Sequence, residues 1–115
     1  ELGFVPAALV LTRVVSRPGD DRLCLDLGHK GIAAENPHPR VRLFGLDDAE
    51  AVGHSEEHLV LQTPRAREIP VGAAFYGLPW HICPTVALYD EAAMVENGHV
   101  ARYSPVVARS RRLTT

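Results

Sequence analysis

Apolar positions along the chain come in short runs that alternate with polar ones. Arg22–Leu27 sets Leu23, Leu25 and Leu27 on one face and Cys24 and Asp26 on the other, the pattern of a half-buried strand. His58–Thr63 does the same, with Leu59 and Leu61 facing one way and Val60 the other. Phe4–Ser16 is rich in Val, Leu and Thr, and Arg17-Pro18-Gly19-Asp20 after it is a turn signal, so the segment up to Leu27 reads as a β-hairpin. Val41–Leu46 and Ala73–Leu78 read as further strands. Between them Gly28–Arg40 reads as a loop, and Asp47–Glu57 as a polar, irregular stretch. Near the end, Met94–Glu96 and His99–Val107 flank Asn97-Gly98, the dipeptide that favours a two-residue hairpin turn. No stretch keeps a helical period over three turns, and nine glycines and nine prolines cut the chain throughout. The expectation is a mainly β fold, an antiparallel β-barrel or sandwich of about six to eight short strands with few or no long helices.

A chain of 115 residues has room for one domain, and 46% hydrophobic with 23% charged residues is the balance of an ordinary globule. A net charge of −2 argues against general nucleic-acid binding, which needs a basic surface. The longest apolar run, Phe4–Leu11, is too short to span a bilayer, and no signal-peptide pattern is present. Cys24 and Cys83 are too few for a disulfide framework, so a reducing, cytoplasmic setting is expected. The chain opens Glu-Leu-Gly-Phe without a Met, close to an apolar run, and we expect residues 1–115 to be a domain cut from a longer protein.

Chemistry concentrates in Pro79–Pro84. His81 and Cys83 supply an imidazole and a thiol, both good zinc ligands, two positions apart. In a helix that spacing turns the side chains about 200° apart. On an extended segment it puts them on one face with alpha carbons about 6.6 Å apart, close enough to converge on one ion. Pro79 and Pro84 bracket the pair and favour extended or turn backbone, so an extended segment is expected. Two ligands fall short of a closed structural zinc site and suit an open one. On spacing alone, a buried thiol beside an ordinary histidine remains the plainer reading.

Three further clusters compete. His54, Glu56, Glu57 and His58 form a cluster in which the two histidines, four apart, would share a helix face, but Gly53 and the strand that follows favour a solvated turn. Lys30, the only lysine, follows Asp26-Leu27-Gly28-His29, where an ion pair or a surface charge outweighs a Schiff-base role. Arg109, Arg111 and Arg112 form a terminal basic group too small to imply nucleic acid.

Taken in order, Asp26-Leu27-Gly28-His29-Lys30, Ser55-Glu56-Glu57-His58 and Pro79-Trp80-His81-Ile82-Cys83-Pro84-Thr85 resemble the C-terminal β-domain of the D-serine dehydratase and D-threonine aldolase family, fold-type III pyridoxal-phosphate enzymes. The likeness runs from the Phe4 strand to Arg109. It implies an N-terminal α/β barrel, outside this sequence, that holds pyridoxal phosphate on a lysine. It further implies a β-domain that gives a histidine and a second ligand to a divalent metal. Carried over by position, those ligands are His81 and Cys83, with Glu57 and His58 as groups that support them. A cysteine rather than an aspartate as second ligand points to zinc and to the dehydratase-like branch, consistent with the preferences of a soft thiolate. The implied partners are the barrel domain, a D-3-hydroxy amino acid and a second subunit in a homodimer, with no nucleic acid and no membrane. Lys30 matches the β-domain pattern and not the cofactor lysine, so this chain alone is expected to be inactive. The competing expectation is a stand-alone, non-catalytic β-barrel that binds a small ligand or a protein, with a purely structural or oligomerisation domain ranked last.

Overall fold

The computed structural model describes residues 3–114. Eight strands form in chain order: β1 (Val10–Gly19), β2 (Arg22–Leu25), β3 (Val41–Leu43), β4 (Glu50–His54), β5 (Leu59–Gln62), β6 (Ala74–Pro79), β7 (Glu91–Glu96) and β8 (His99–Pro105). Among the described residues one α-helix, α1 (Ile82–Val86), lies between β6 and β7, and single 3-10 turns form at Ala66–Glu68 and Val107–Arg109. The first six strands make one sheet in the order β3-β6-β1-β2-β5-β4, and β7 and β8 make a separate hairpin. Every paired neighbour is antiparallel, and the expected mainly β, antiparallel class is what the chain adopts. No described helix is long and apolar enough to cross a membrane.

The alternation read in the sequence sets the core. Val10, Val14, Leu23, Leu25, Leu27, Leu59 and Leu61 are buried on the inner face of the sheet, together with Ile32 from the long loop. The sheet curls until its two edge strands face one cavity of about 50 Å³, lined by Val41 and Leu43 of β3 and by Ala51 and His54 of β4. The gap between those edges is bridged where Arg40, just ahead of β3, donates from a terminal nitrogen to His54 Nδ1 at 2.8 Å. At another corner Arg65 grips Asp48 through two nitrogens at 2.9 and 2.8 Å and also donates to the Gly45 carbonyl at 2.7 Å. Buried Thr63 adds a hydroxyl to the same carboxylate at 3.1 Å.

Boundaries differ from the expectation in places. Phe4–Leu9 is exposed and irregular, and β1 begins at Val10. The β1–β2 turn falls at Asp20-Asp21, so Arg17, Pro18 and Gly19 belong to the strand. The stretch taken as irregular contains β4, whose pairing with β5 slips between Ala51 and Gly53. Such a bulge shifts the period of two within a five-residue strand and hides the alternation. The Asn97-Gly98 turn forms with φ of 52° and 78°, the left-handed pair that a tight hairpin turn requires.

Candidate functional site

Pro79 closes β6, paired with Val41, and the Trp80 amide donates to the Arg40 carbonyl at 2.9 Å. His81 is still extended, with φ −125° and ψ 102°, but the chain turns into α1 at the next residue. His81 and Cys83 therefore do not share an extended segment: a strand-to-helix boundary runs between them. The reason is local. Pro84 lies in the first turn of α1, where a missing N–H costs nothing because that amide has no helical partner anyway. Buried Thr85 adds a hydrogen bond from its hydroxyl back to the His81 carbonyl at 2.8 Å. Neither the helical nor the extended ideal governs the spacing of the two ligand candidates, and both side chains are open to solvent.

His81 is not alone. Its Nδ1 meets the Glu35 carboxylate, brought in by the loop between β2 and β3. Glu35 sits below the usual carboxylate range, chiefly because its own backbone amide donates to it and further because His81 lies beside it. The carboxylate is therefore an acceptor, and Nδ1 carries the proton. The sequence reading missed Glu35, which is 46 residues from His81, and no local spacing could have pointed to it.

The donor set fits an open site for a soft divalent cation: one imidazole fixed by a carboxylate, and one exposed thiol two residues on. It does not make a closed site. Among the described residues no three His, Cys, Asp or Glu side chains are grouped to hold an ion.

The other two motifs meet each other. His29 N–H donates to the Ser55 carbonyl at 2.8 Å and Lys30 N–H to the Glu56 carbonyl at 3.1 Å, so the two backbones run in contact. Gly28 permits it, since a Cβ there would stand 2.1 Å from the Glu56 carbonyl oxygen. Lys30 Nζ pairs with Glu57, which raises the lysine and lowers the carboxyl, and lies 4.0 Å from Glu56. Both ends are exposed, the arrangement of an ion pair rather than of a neutral amine poised to attack carbon. Glu57 is thus committed to Lys30, and His58 closes a turn in which its amide donates to the Ser55 hydroxyl oxygen at 3.2 Å. Neither is among the hydrogen-bond partners of His81, whose carboxylate partner is Glu35.

His54 and His58 do not share a face. His54 ends β4 and stacks edge-on with His29 at 4.5 Å between ring centres, with His38 at 5.6 Å. Its Nε2–H donates to the Leu27 carbonyl at 3.0 Å while Nδ1 accepts from Arg40. Burial above all, and then the neighbouring His29 and Arg40, lower its pKa, so His54 is a neutral structural histidine. Asp26 accepts from the Thr12 hydroxyl at 2.7 Å and from the Arg13 amide at 2.8 Å, tying β1 to the end of β2. Arg109 bonds the Ala87 carbonyl at 2.9 Å and pairs with Asp90, while Arg111 and Arg112 are exposed and irregular.

A curled antiparallel sheet thus carries a solvent-facing imidazole and thiol at the β6–α1 junction. Residues 7–95 match the model of the family described as "Putative serine dehydratase domain", and the chain belongs to that family. It is 33% identical over 94% of its length to a D-threonine aldolase from an Arthrobacter species, of which it covers 28%. It is 30% identical over 96% of its length to an uncharacterized protein of Mycobacterium tuberculosis, of which it covers 86%. Among solved structures, the D-threonine aldolase from Filomicrobium marinum superposes with a TM-score of 0.76 at 26% identity, over 88% of this chain and 28% of that one. A variant of D-threo-3-hydroxyaspartate dehydratase in a metal-free form shares the fold, with a TM-score of 0.69 at 16% identity over 83% of this chain and 30% of that one. The chain thus spans little more than a quarter of the aldolases it matches.

Proposed function

We propose that this chain is the metal-bearing β-domain of a cytoplasmic, pyridoxal-phosphate-dependent lyase acting on D-3-hydroxy amino acids. Dehydratase-type loss of the β-hydroxyl is the favoured reaction and aldolase-type carbon–carbon cleavage the next. One observation carries the reading: the solvent-facing His81–Cys83 pair, its imidazole held by a carboxylate, in a domain that aligns along nearly all its length with a D-threonine aldolase. His81 and Cys83 would hold a zinc ion, with Cys83 as the thiolate that selects zinc over harder metals. When bound, the ion supplies Lewis-acid stabilisation of charge on the β-oxygen, and pyridoxal phosphate on a separate barrel domain supplies the electron sink at the alpha carbon. This chain's part is to present an imidazole and a thiol at one backbone corner. Both must be deprotonated at the ligating atom, so metal affinity falls as pH falls. Without the barrel the domain is inactive.

The test is metal analysis of the full natural polypeptide, followed by assays on D-serine and D-threonine with pyridoxal phosphate. We expect zinc near one equivalent, lost in His81→Ala and Cys83→Ala. Stoichiometric zinc in the double variant would refute the site.

The 86% coverage of the mycobacterial relative supports a second reading, a stand-alone non-catalytic domain. The coding sequence upstream of Glu1 separates the two. A further couple of hundred in-frame codons, on the order expected for a barrel domain, favours the lyase.

A further inference from the structure

The loop between β2 and β3 is fastened to the α1 segment at three alternate residues. The Tyr89 hydroxyl donates to the Gly31 carbonyl at 2.8 Å. The Ala33 amide donates to the Thr85 hydroxyl at 3.0 Å. The Glu35 carboxylate accepts from His81 Nδ1–H. Positions 31, 33 and 35 thus meet 89, 85 and 81, every second residue of the loop against every fourth of the other segment. The middle rung is the rigid one. Thr85 and Ala33 are buried, and the Thr85 hydroxyl also reaches the His81 carbonyl at 2.8 Å. One oxygen therefore fixes the backbone of His81 relative to the strand of loop that carries Glu35 two residues later.

From this arrangement we infer that Glu35 is a positioning residue for metal binding. Its carboxylate holds the His81 ring by Nδ1–H and so keeps the lone pair on Nε2, the nitrogen left for a cation. The inference rests on the reading of His81 as a metal ligand. It adds what the motif does not contain: a carboxylate from a distant loop that selects the ligating nitrogen and the ring orientation. Carboxylate partners of this kind are worth about 10- to 100-fold in metal affinity.

The experiment titrates zinc alone, by competition with a chromophoric chelator, into the full natural polypeptide and its Glu35→Ala, Glu35→Gln, His81→Ala and Cys83→Ala variants. ¹⁵N-imidazole spectra of the metal-free proteins report the His81 tautomer. We expect Glu35→Ala to bind zinc about 10- to 100-fold more weakly. Glu35→Gln, still an acceptor but uncharged, falls between it and the wild type. His81 is expected to be protonated at Nδ1 in the wild type and to shift toward Nε2–H in Glu35→Ala, with an unchanged thermal midpoint. A merely structural Glu35 would move the midpoint and not the tautomer. If His81→Ala loses zinc while Glu35→Ala binds as tightly as the wild type, or more tightly, Glu35 has no positioning role and the metal reading stands. If wild type, His81→Ala and Cys83→Ala do not differ in zinc binding, the metal reading fails and the role of Glu35 fails with it.

Discussion

Replacing Thr85 by Val changes almost nothing in volume and removes one hydroxyl. Thr85 is 1% exposed, and its oxygen takes the Ala33 N–H at 3.0 Å while donating to the His81 carbonyl at 2.8 Å. Valine leaves the Ala33 amide buried without an acceptor, at a cost of about 1–3 kcal/mol, and forfeits a second bond worth about 1 kcal/mol. Helix propensity does not confound the comparison, because Val and Thr rank together. The sum is about 2–4 kcal/mol. A chain of 115 residues unfolds with an entropy of about 0.24 kcal/mol/K at the midpoint, so the thermal midpoint should fall by about 8–17 °C. Thr85→Ser keeps the oxygen and loses a methyl, about 0.8 kcal/mol or roughly 3 °C. The assay is thermal unfolding by circular dichroism for both variants, with amide exchange at Ala33 as a local reporter. A valine variant no less stable than the serine variant, with Ala33 exchange unchanged, would refute the claim that this hydroxyl clamps the loop to α1.

Gly28→Ala places a Cβ 2.1 Å from the Glu56 carbonyl oxygen and 2.4 Å from the Glu57 carbonyl carbon, so two backbones must part. We expect a loss on the order of 3 kcal/mol in urea unfolding, and a loss below about 1 kcal/mol would show that the contact relaxes freely. Asp48 is held at about 2 against an ordinary 3.8, chiefly by the Arg65 guanidinium, with Thr63 assisting. Its folded form resists protonation more than its unfolded form. The stabilisation it gives is therefore whole above pH 3.8 and is lost as pH falls toward 2. Asp48→Asn should flatten that part of the stability profile, measured as urea midpoints from pH 5 downward, and an unaltered slope would remove the assignment.

How much of this was legible depended on the physical range of each interaction. The strands β2 and β5 were readable because alternation is a local pattern and both bury one face. The β7–β8 turn was readable because Asn97-Gly98 carries its own backbone preference. The strand β4 was hidden by its bulge, and α1 by brevity, since five residues with a proline among them show no helical period. Pro84 misled for a physical reason: proline excludes a helix interior but not its first turn. Glu35 could not be found from spacing at all, because its partner lies across the fold.

The three motifs that pointed to the family divide by what they do in space. Asp26, Gly28 and Lys30 meet Thr12, Glu56 and Glu57, so two of the motifs fasten strands and turns to each other. Asp26 and Gly28 act where a bond or a missing side chain decides whether backbones can approach. Exposed Lys30–Glu57 contributes little, since both ends are solvated. The third motif exposes the His81 imidazole and the Cys83 thiol, while its Thr85 is buried and works on the frame. Substitutions at Gly28 or Asp26 should therefore act through folding, and, on the function proposed above, those at His81 and Cys83 through metal. Glu35 stands between the two classes, with its backbone in the frame and its carboxylate on the imidazole, so its variants should separate affinity from stability where the others cannot.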